Sequence, residues 1–160
     1  MGFGFVTGNN AKILAKPLAE GGWNQQIPLS SQFGYQFEKA YITTGNWQAL
    51  AEIVPMISGL ESNRFIPTLT ILNGLRSNNS GWEFAFGPTI DVSRTMDGQL
   101  DSRGEISFST ALVFSLGKTI KSGEMNFPIN AFLIPPKDGT SYRFGISMGW
   151  NSAKKKRLLD

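Results

Sequence analysis

Few residue types in this chain are suited to catalysis. Its 160 residues include no histidine and no cysteine, so the commonest general base, the commonest metal ligand and the thiolate nucleophile are all missing. Glu83 and Glu105 could form a carboxylate pair for acid–base chemistry, but pairing with the guanidinium of Arg143 explains both more simply. No phosphate-binding loop or nucleophile elbow occurs. We therefore predict that the protein is not an enzyme and has no catalytic residues, metal site or cofactor.

The charged residues that remain fall at regular positions among small polar residues. Side chains alternate between the two faces of a β-strand, so every second residue shares a face. If these polar faces line the interior of a β-barrel, the charges there must pair with one another or bind water, because an isolated buried charge is costly. We predict a charge cluster in the lumen with Arg143 at its centre; it acts as a structural plug or, alternatively, as a gate or polar binding site. Its members are Glu38, Glu83, Asp91, Glu105 and Arg143.

Alternation is clearest between Trp82 and Ser93. One set of alternate residues there is large and apolar, and the other is small, polar or charged. The pattern recurs over residues 105–116 and 141–150, as expected for strands with one apolar and one polar face. The apolar set of the first segment is Trp82, Phe84, Phe86, Pro88, Ile90 and Val92.

Turn-rich segments separate these runs, and no helical period lies between them. We predict an all-β fold: a single antiparallel up-and-down β-barrel over residues 1–151, followed by a basic tail at 152–160. We expect about eight strands. Most of them have lengths close to those of strands that span a membrane. They are Gly2–Thr7, Gln32–Thr43, Trp47–Ile57, Phe65–Asn73, Trp82–Ser93, Glu105–Leu116, Met125–Ile134 and Ser141–Trp150.

Composition helps to place the apolar face. Charged residues make up 17% of the chain and aromatic residues 12%, yet mean hydropathy is only -0.13, and no apolar run is long enough for a transmembrane helix. The small residues of the polar face suit a crowded lumen, whereas the many aromatic rings would not fit inside eight strands. We predict that the apolar face points outward. The alternative is a soluble or periplasmic barrel with an apolar ligand inside.

Tryptophan positions agree with an outward apolar face. Indoles prefer the boundary between hydrocarbon and headgroups, where they form aromatic girdles. Three of the four tryptophans lie at predicted strand ends and one lies in a loop before a strand. We predict that these residues are lipid-interface aromatics: Trp23, Trp47, Trp82 and Trp150.

The whole pattern resembles the small eight-stranded outer-membrane β-barrels of Gram-negative bacteria. The segments that carry the resemblance are W-E-F-A-F-G-P-T-I-D-V, I-S-F-S-T-A-L-V-F-S-L and Y-R-F-G-I-S-M-G-W. It implies a bacterial outer-membrane location, a lipid bilayer as partner, and a structural, surface-interaction or minor pore role. Loops 8–31 and 94–104 would contact a protein partner. A barrel subunit of a larger membrane assembly is a further alternative, and the oligomeric state stays open.

The basic tail is the one concentrated charge. Lys154, Lys155, Lys156 and Arg157 are consecutive, which is typical of a solvated segment and compatible with anionic headgroups. We predict no nucleic-acid partner.

Overall fold

A computed structural model describes residues 1–6, 12, 15–17, 20, 29–60, 65–95, 105–123, 125–136 and 142–152. Within these ranges the chain is all β. No helix in them has the length and hydropathy to cross a bilayer. The strands are β1 (Gly2–Val6), β2 (Leu29–Gly34), β3 (Phe37–Thr44), β4 (Trp47–Ser58), β5 (Ile66–Ser77), β6 (Trp82–Thr95), β7 (Glu105–Ser122), β8 (Met125–Ile134), β9 (Arg143–Met148) and β10 (Asn151–Ser152).

The strands close into an antiparallel barrel, which confirms the predicted fold class. The ring runs through eight strands in the order β1, β2, β4, β5, β6, β7, β8 and β9, and β9 pairs with β1 to close it. β3 continues β2 along β4, and β10 continues β9 along β8. Consecutive segments are neighbours, as in a meander. Pairing of Ser152 with Met125 extends the sheet one residue past the predicted domain boundary at 151.

Connection lengths differ between the two ends of the barrel. At one end, here called the short-turn rim, residues 45–46, 78–81 and 123–124 join successive strands. Gly45, Gly81 and Gly123 adopt positive φ there, which glycine reaches without a steric penalty. At the opposite end, the long-loop rim, residues 7–28, 59–65, 96–104 and 135–142 make the connections. The segments predicted to contact partners, 8–31 and 94–104, lie mostly outside the described residues. Their described ends at 29–31 and 94–95 are strand residues at the long-loop rim.

The side chains that the structure describes point inward or outward as the alternation of apolar and polar residues predicts. Phe84, Phe86 and Leu116 are exposed on the outer surface, whereas Ala85 and Thr89, of opposite parity on β6, are buried. Alternation over β4 is ambiguous in the sequence, because both of its faces contain apolar residues. The structure places Leu50 and Glu52 inside, at 0% and 2% exposure.

Several strand boundaries differ from the prediction. The sequence pattern placed the fourth strand at 65–73 and the sixth at 105–116, but β5 reaches Ser77 and β7 reaches Ser122. The second predicted strand, 32–43, is divided into β2 and β3 around residues 35–36, and a bulge follows at Ala40 and Ile42. Cross-strand pairing at the short-turn rim extends these strands beyond the segments where alternation is strongest.

Interior glycines let the barrel wall pack closely. A Cβ added at Gly87 would overlap the carbonyl oxygen of Ile71 on β5. We expect Gly87→Ala to lower the free energy of unfolding by about 1–3 kcal/mol, the usual cost of overpacking. Gly149→Ala is the matched control, since its added carbon would meet Pro128 Cγ at an ordinary 3.5 Å. Urea unfolding of the two variants measures the difference, and equal stability would contradict close packing at Gly87.

Candidate functional site

The most strongly charged part of the lumen lies near the short-turn rim and is centred on Arg76. The Arg76 guanidinium donates to both carboxylate oxygens of Glu38, each at 2.5 Å. Its Nε donates to Glu83 Oε2 at 2.5 Å, and a further guanidinium nitrogen forms an ion pair with the same oxygen. The planar fork of arginine suits such bidentate binding of carboxylates. We call Glu38, Arg76 and Glu83 the Arg76 cluster.

Strand register brings the Arg76 cluster together. Arg76 pairs with Glu83 across the β5–β6 hairpin, so the two side chains point to the same face. Glu38 pairs with Glu52 across β3 and β4, two strand positions from Arg76 in the ring. The cluster therefore links β3, β5 and β6 along the inner side of the barrel wall.

Glu52 lies beside this cluster and is the most buried acidic side chain among the described residues. Its Oε2 accepts a hydrogen bond from the Gln36 side-chain amide at 2.7 Å, while Oε1 is buried with no hydrogen-bond partner. A Cβ on Gly74 would lie 2.7 Å from Oε1, so glycine at that position leaves room for the carboxyl group. Glu52, which pairs with Glu38 across β3 and β4, thus adds a third carboxyl group to this end of the lumen.

A second polar group lies towards the long-loop rim. Arg143 donates to Asp91 Oδ2 at 2.9 Å, and Thr68 Oγ1 donates to Asp91 Oδ1, also at 2.9 Å. We call Thr68, Asp91 and Arg143 the Asp91 cluster. Two residues further along β5 and β6, the hydroxyl groups of Thr70 and Thr89 form a buried hydrogen bond of 2.8 Å. Both carboxylate oxygens of Asp91 therefore have partners, unlike those of Glu52.

Apolar side chains pack in the lumen apart from the ionic contacts. Leu72, Ala85, Val113 and Ile134 form a buried group, and Ala111 and Phe132 pack against it. Side chains from β5, β6, β7 and β8 thus fill this part of the interior, as eight strands allow. No group of three or more acidic side chains in the described ranges is placed to hold a metal ion. The arrangement can bridge strands and obstruct the lumen.

Of the five predicted lumen residues, the structure brings four into ion pairs, but in two separate groups. Glu38 and Glu83 meet at Arg76, and Asp91 meets Arg143. The expectation that Arg143 would be the common centre is corrected, because Arg76 holds the carboxylates near the short-turn rim. The side chain of Glu105 lies outside the described residues.

Sequence reasoning missed Arg76 because the fourth strand was ended at Asn73. The sequence does contain a signal for the inward position of Arg76. Leu69, Ile71 and Leu75 share one parity, which continues the apolar face past Asn73 and places Arg76 on the opposite, inward face. The predicted lumen cluster does not include Glu52, because the alternation over β4 allows either face of that strand to point inward.

Three of the four predicted interface tryptophans are described, and all lie near the short-turn rim. Trp47 begins β4, Trp82 begins β6, and Trp150 lies between β9 and β10. Each is exposed, Trp150 at 66%. Lys118 Nζ lies 5.4 Å from the ring centre of Trp82, within cation–π range. Trp23 lies outside the described residues.

Comparison with known proteins identifies no relative of this chain. No protein-family model, no curated protein and no solved structure matches the chain. Function must therefore be argued from the barrel and its side chains.

Proposed function

We propose that this protein is an integral outer-membrane β-barrel of a bacterium, with a structural and surface-interaction role and no catalytic activity. The observation that carries the proposal is the polarity of the barrel wall. In the described residues, aromatic and aliphatic side chains cover the outside, whereas ion pairs, hydroxyl groups and small residues occupy much of the inside. Outward apolar and inward polar residues are the arrangement that membrane barrels require.

The extent of the outer apolar surface supports a hydrocarbon environment. Exposed large apolar side chains occur on every strand from β1 to β9, among them Phe3, Ile53 and Leu133, and Phe108 reaches 69% exposure. Water-soluble monomers rarely expose contiguous apolar patches of more than a few hundred Å². In a bilayer, lipid tails would cover this belt and make its exposure favourable.

The alternative of a soluble barrel with an apolar ligand inside has less support. It needs an apolar interior with free space, but the described interior contains two ionic clusters and a packed apolar group between its walls. One apolar groove in the described part of the barrel, about 480 Å³, is formed by outer side chains such as Phe33, Leu69 and Ile90. An acyl chain of the surrounding lipid would suit that groove.

The two rims indicate how the barrel would be oriented in the bilayer. Trp47, Trp82 and Trp150 would mark one membrane interface at the short-turn rim. The longer connections at the other rim would project from the bilayer, and such loops are where a rigid scaffold carries recognition. Specificity for a protein partner therefore belongs to loops 8–31 and 94–104.

Detergent dependence tests the proposal directly. We expect the purified chain to be monodisperse in detergent micelles or liposomes, and to aggregate when detergent is removed, because its apolar belt would then face water. Analytical ultracentrifugation and liposome flotation measure both states. A folded, monodisperse chain in detergent-free buffer would overturn the membrane proposal.

Ion conduction tests the plugged lumen separately. An eight-stranded barrel leaves room for little more than side chains, and here the Arg76 and Asp91 clusters occupy both ends. We expect planar-bilayer recordings of the reconstituted protein to show no stable open channel. Steady conductance from the unmodified chain would contradict the plug and favour a pore.

A further inference from the structure

Carboxyl groups outnumber cations near the short-turn rim. The guanidinium of Arg76 is already bound by Glu38 and by Glu83. Within the described residues no cation forms an ion pair with Glu52. If Glu52 were ionised, three negative charges would face one positive charge in a confined space. Such an excess of like charge is costly away from water, and a proton on one carboxyl group relieves it.

Glu52 has the surroundings of a neutral group. It is 2% exposed, so water cannot solvate a charge on it. Glu38 lies directly opposite across β3 and β4, where two like charges destabilise a sheet. Within the described ranges, the Gln36 amide is the one hydrogen-bond donor to the Glu52 carboxyl group, and Oε1 has none. A buried carboxylate that stays ionised needs a cation or several donors, and Glu52 has neither.

Glu83 is placed to share a proton with Glu52. The two carboxyl groups lie close enough for a side-chain hydrogen bond, but two carboxylates cannot form one, because neither has a proton to donate. With a proton on Oε1, Glu52 can donate to Glu83, and the unpartnered oxygen gains a partner. Glu83 is the acceptor in this pair because its ionic contact with Arg76 keeps it ionised.

We propose that Glu52 is a proton-binding site of the lumen, which holds one proton at neutral pH and donates it in a hydrogen bond to Glu83. The charged groups that face Glu52 are Glu38 from β3, Arg76 from β5 and Glu83 from β6. Loss of the proton would bring unpaired like charges together and loosen the barrel wall at the short-turn rim. The site lies inside the barrel, so this inference does not depend on the membrane proposal.

Infrared spectroscopy detects the proton directly, because a carboxylic acid and a carboxylate have separate stretching bands. We expect the folded, unmodified chain to show a carboxylic-acid band at neutral pH, and Glu52→Gln to lack it. Glu38→Gln is the matched control, since it removes a carboxylate that Arg76 binds and should keep the band. An unmodified chain without the acid band would overturn the proposal, whether or not the variants fold. A band that persists in Glu52→Gln would also overturn it.

Stability as a function of pH measures the same proton through linkage. A glutamate in the unfolded chain is ionised at neutral pH, so the folded state holds one proton more, and stability falls as pH rises. Denaturant unfolding in detergent gives the unfolding constant of the unmodified chain relative to Glu52→Gln. We expect this ratio to rise about tenfold per pH unit between about pH 5.5 and 7. The chain contains no histidine, the side chain that ordinarily titrates in this range. A ratio independent of pH would overturn the proposal.

A sodium ion is the alternative occupant beside Glu52, since it would neutralise an ionised carboxylate without a proton. Replacing sodium chloride with an equal concentration of tetramethylammonium chloride separates the two cases, because the organic cation is too large for this buried position. With a proton on Glu52, the exchange should shift the stability of the unmodified chain and of Glu52→Gln equally. A loss of stability confined to the unmodified chain, with no acid band, would assign the site to sodium and overturn the proposal.

Discussion

Arg76→Met should lower the free energy of unfolding by about 3 kcal/mol, the low end of the range for removing one partner of a buried ionic group, because Glu83 is nearly buried whereas Glu38 keeps some contact with water. The substitution keeps a long apolar side chain but leaves Glu38 and Glu83 without the guanidinium that binds both. The Glu83 side chain is only 10% exposed, so water replaces the lost partner poorly. Denaturant unfolding of the barrel in detergent or liposomes measures the loss.

Two further variants identify its cause. Adding Glu38→Gln and Glu83→Gln to Arg76→Met should restore much of the stability, because neutral amides tolerate the lumen without a cation. Lys118→Met removes an exposed cation near the same rim, and its effect should not exceed about 1 kcal/mol, the contribution of an exposed cation–π contact. A single Arg76→Met variant as stable as the parent would show that the ionic cluster does not stabilise the fold.

Phe86→Arg should destabilise the bilayer-inserted barrel by about 2–4 kcal/mol, as arginine does on the lipid face near the membrane midplane. Phe86 lies in the middle of β6, pairs with Phe114 on β7, and is 47% exposed on the outer surface. In a lipid environment the guanidinium would be placed in hydrocarbon. Unfolding in liposomes, compared with Phe86→Leu, isolates the cost of the charge from the loss of the ring.

Depth dependence makes this test specific for a bilayer. Met125 is also exposed on the outside, but it begins β8 at the short-turn rim, so Met125→Arg should cost only about 0–1 kcal/mol near the interface. If arginine is tolerated equally at Phe86 and Met125, the outer surface of the barrel does not face hydrocarbon.

Local pattern was sufficient for the strands and for the facing of most of them. The alternation from Trp82 to Val92 predicts both, because a period of two depends only on strand geometry and not on neighbours. Turn residues with positive φ, such as Gly45 and Gly81, likewise mark strand ends through their own conformational freedom. The meander and its closed form follow from many such strands in succession.

The ion pairs of the lumen required the folded ring. Glu38 and Arg76 are 38 residues apart in the chain, and only the registers of β3, β4 and β5 bring them face to face. No local pattern encodes register between strands, so the sequence favoured Arg143 as the common partner and overlooked Arg76. Glu52 shows the same limit, since both faces of β4 carry apolar residues and neighbouring strands determine which one is inside.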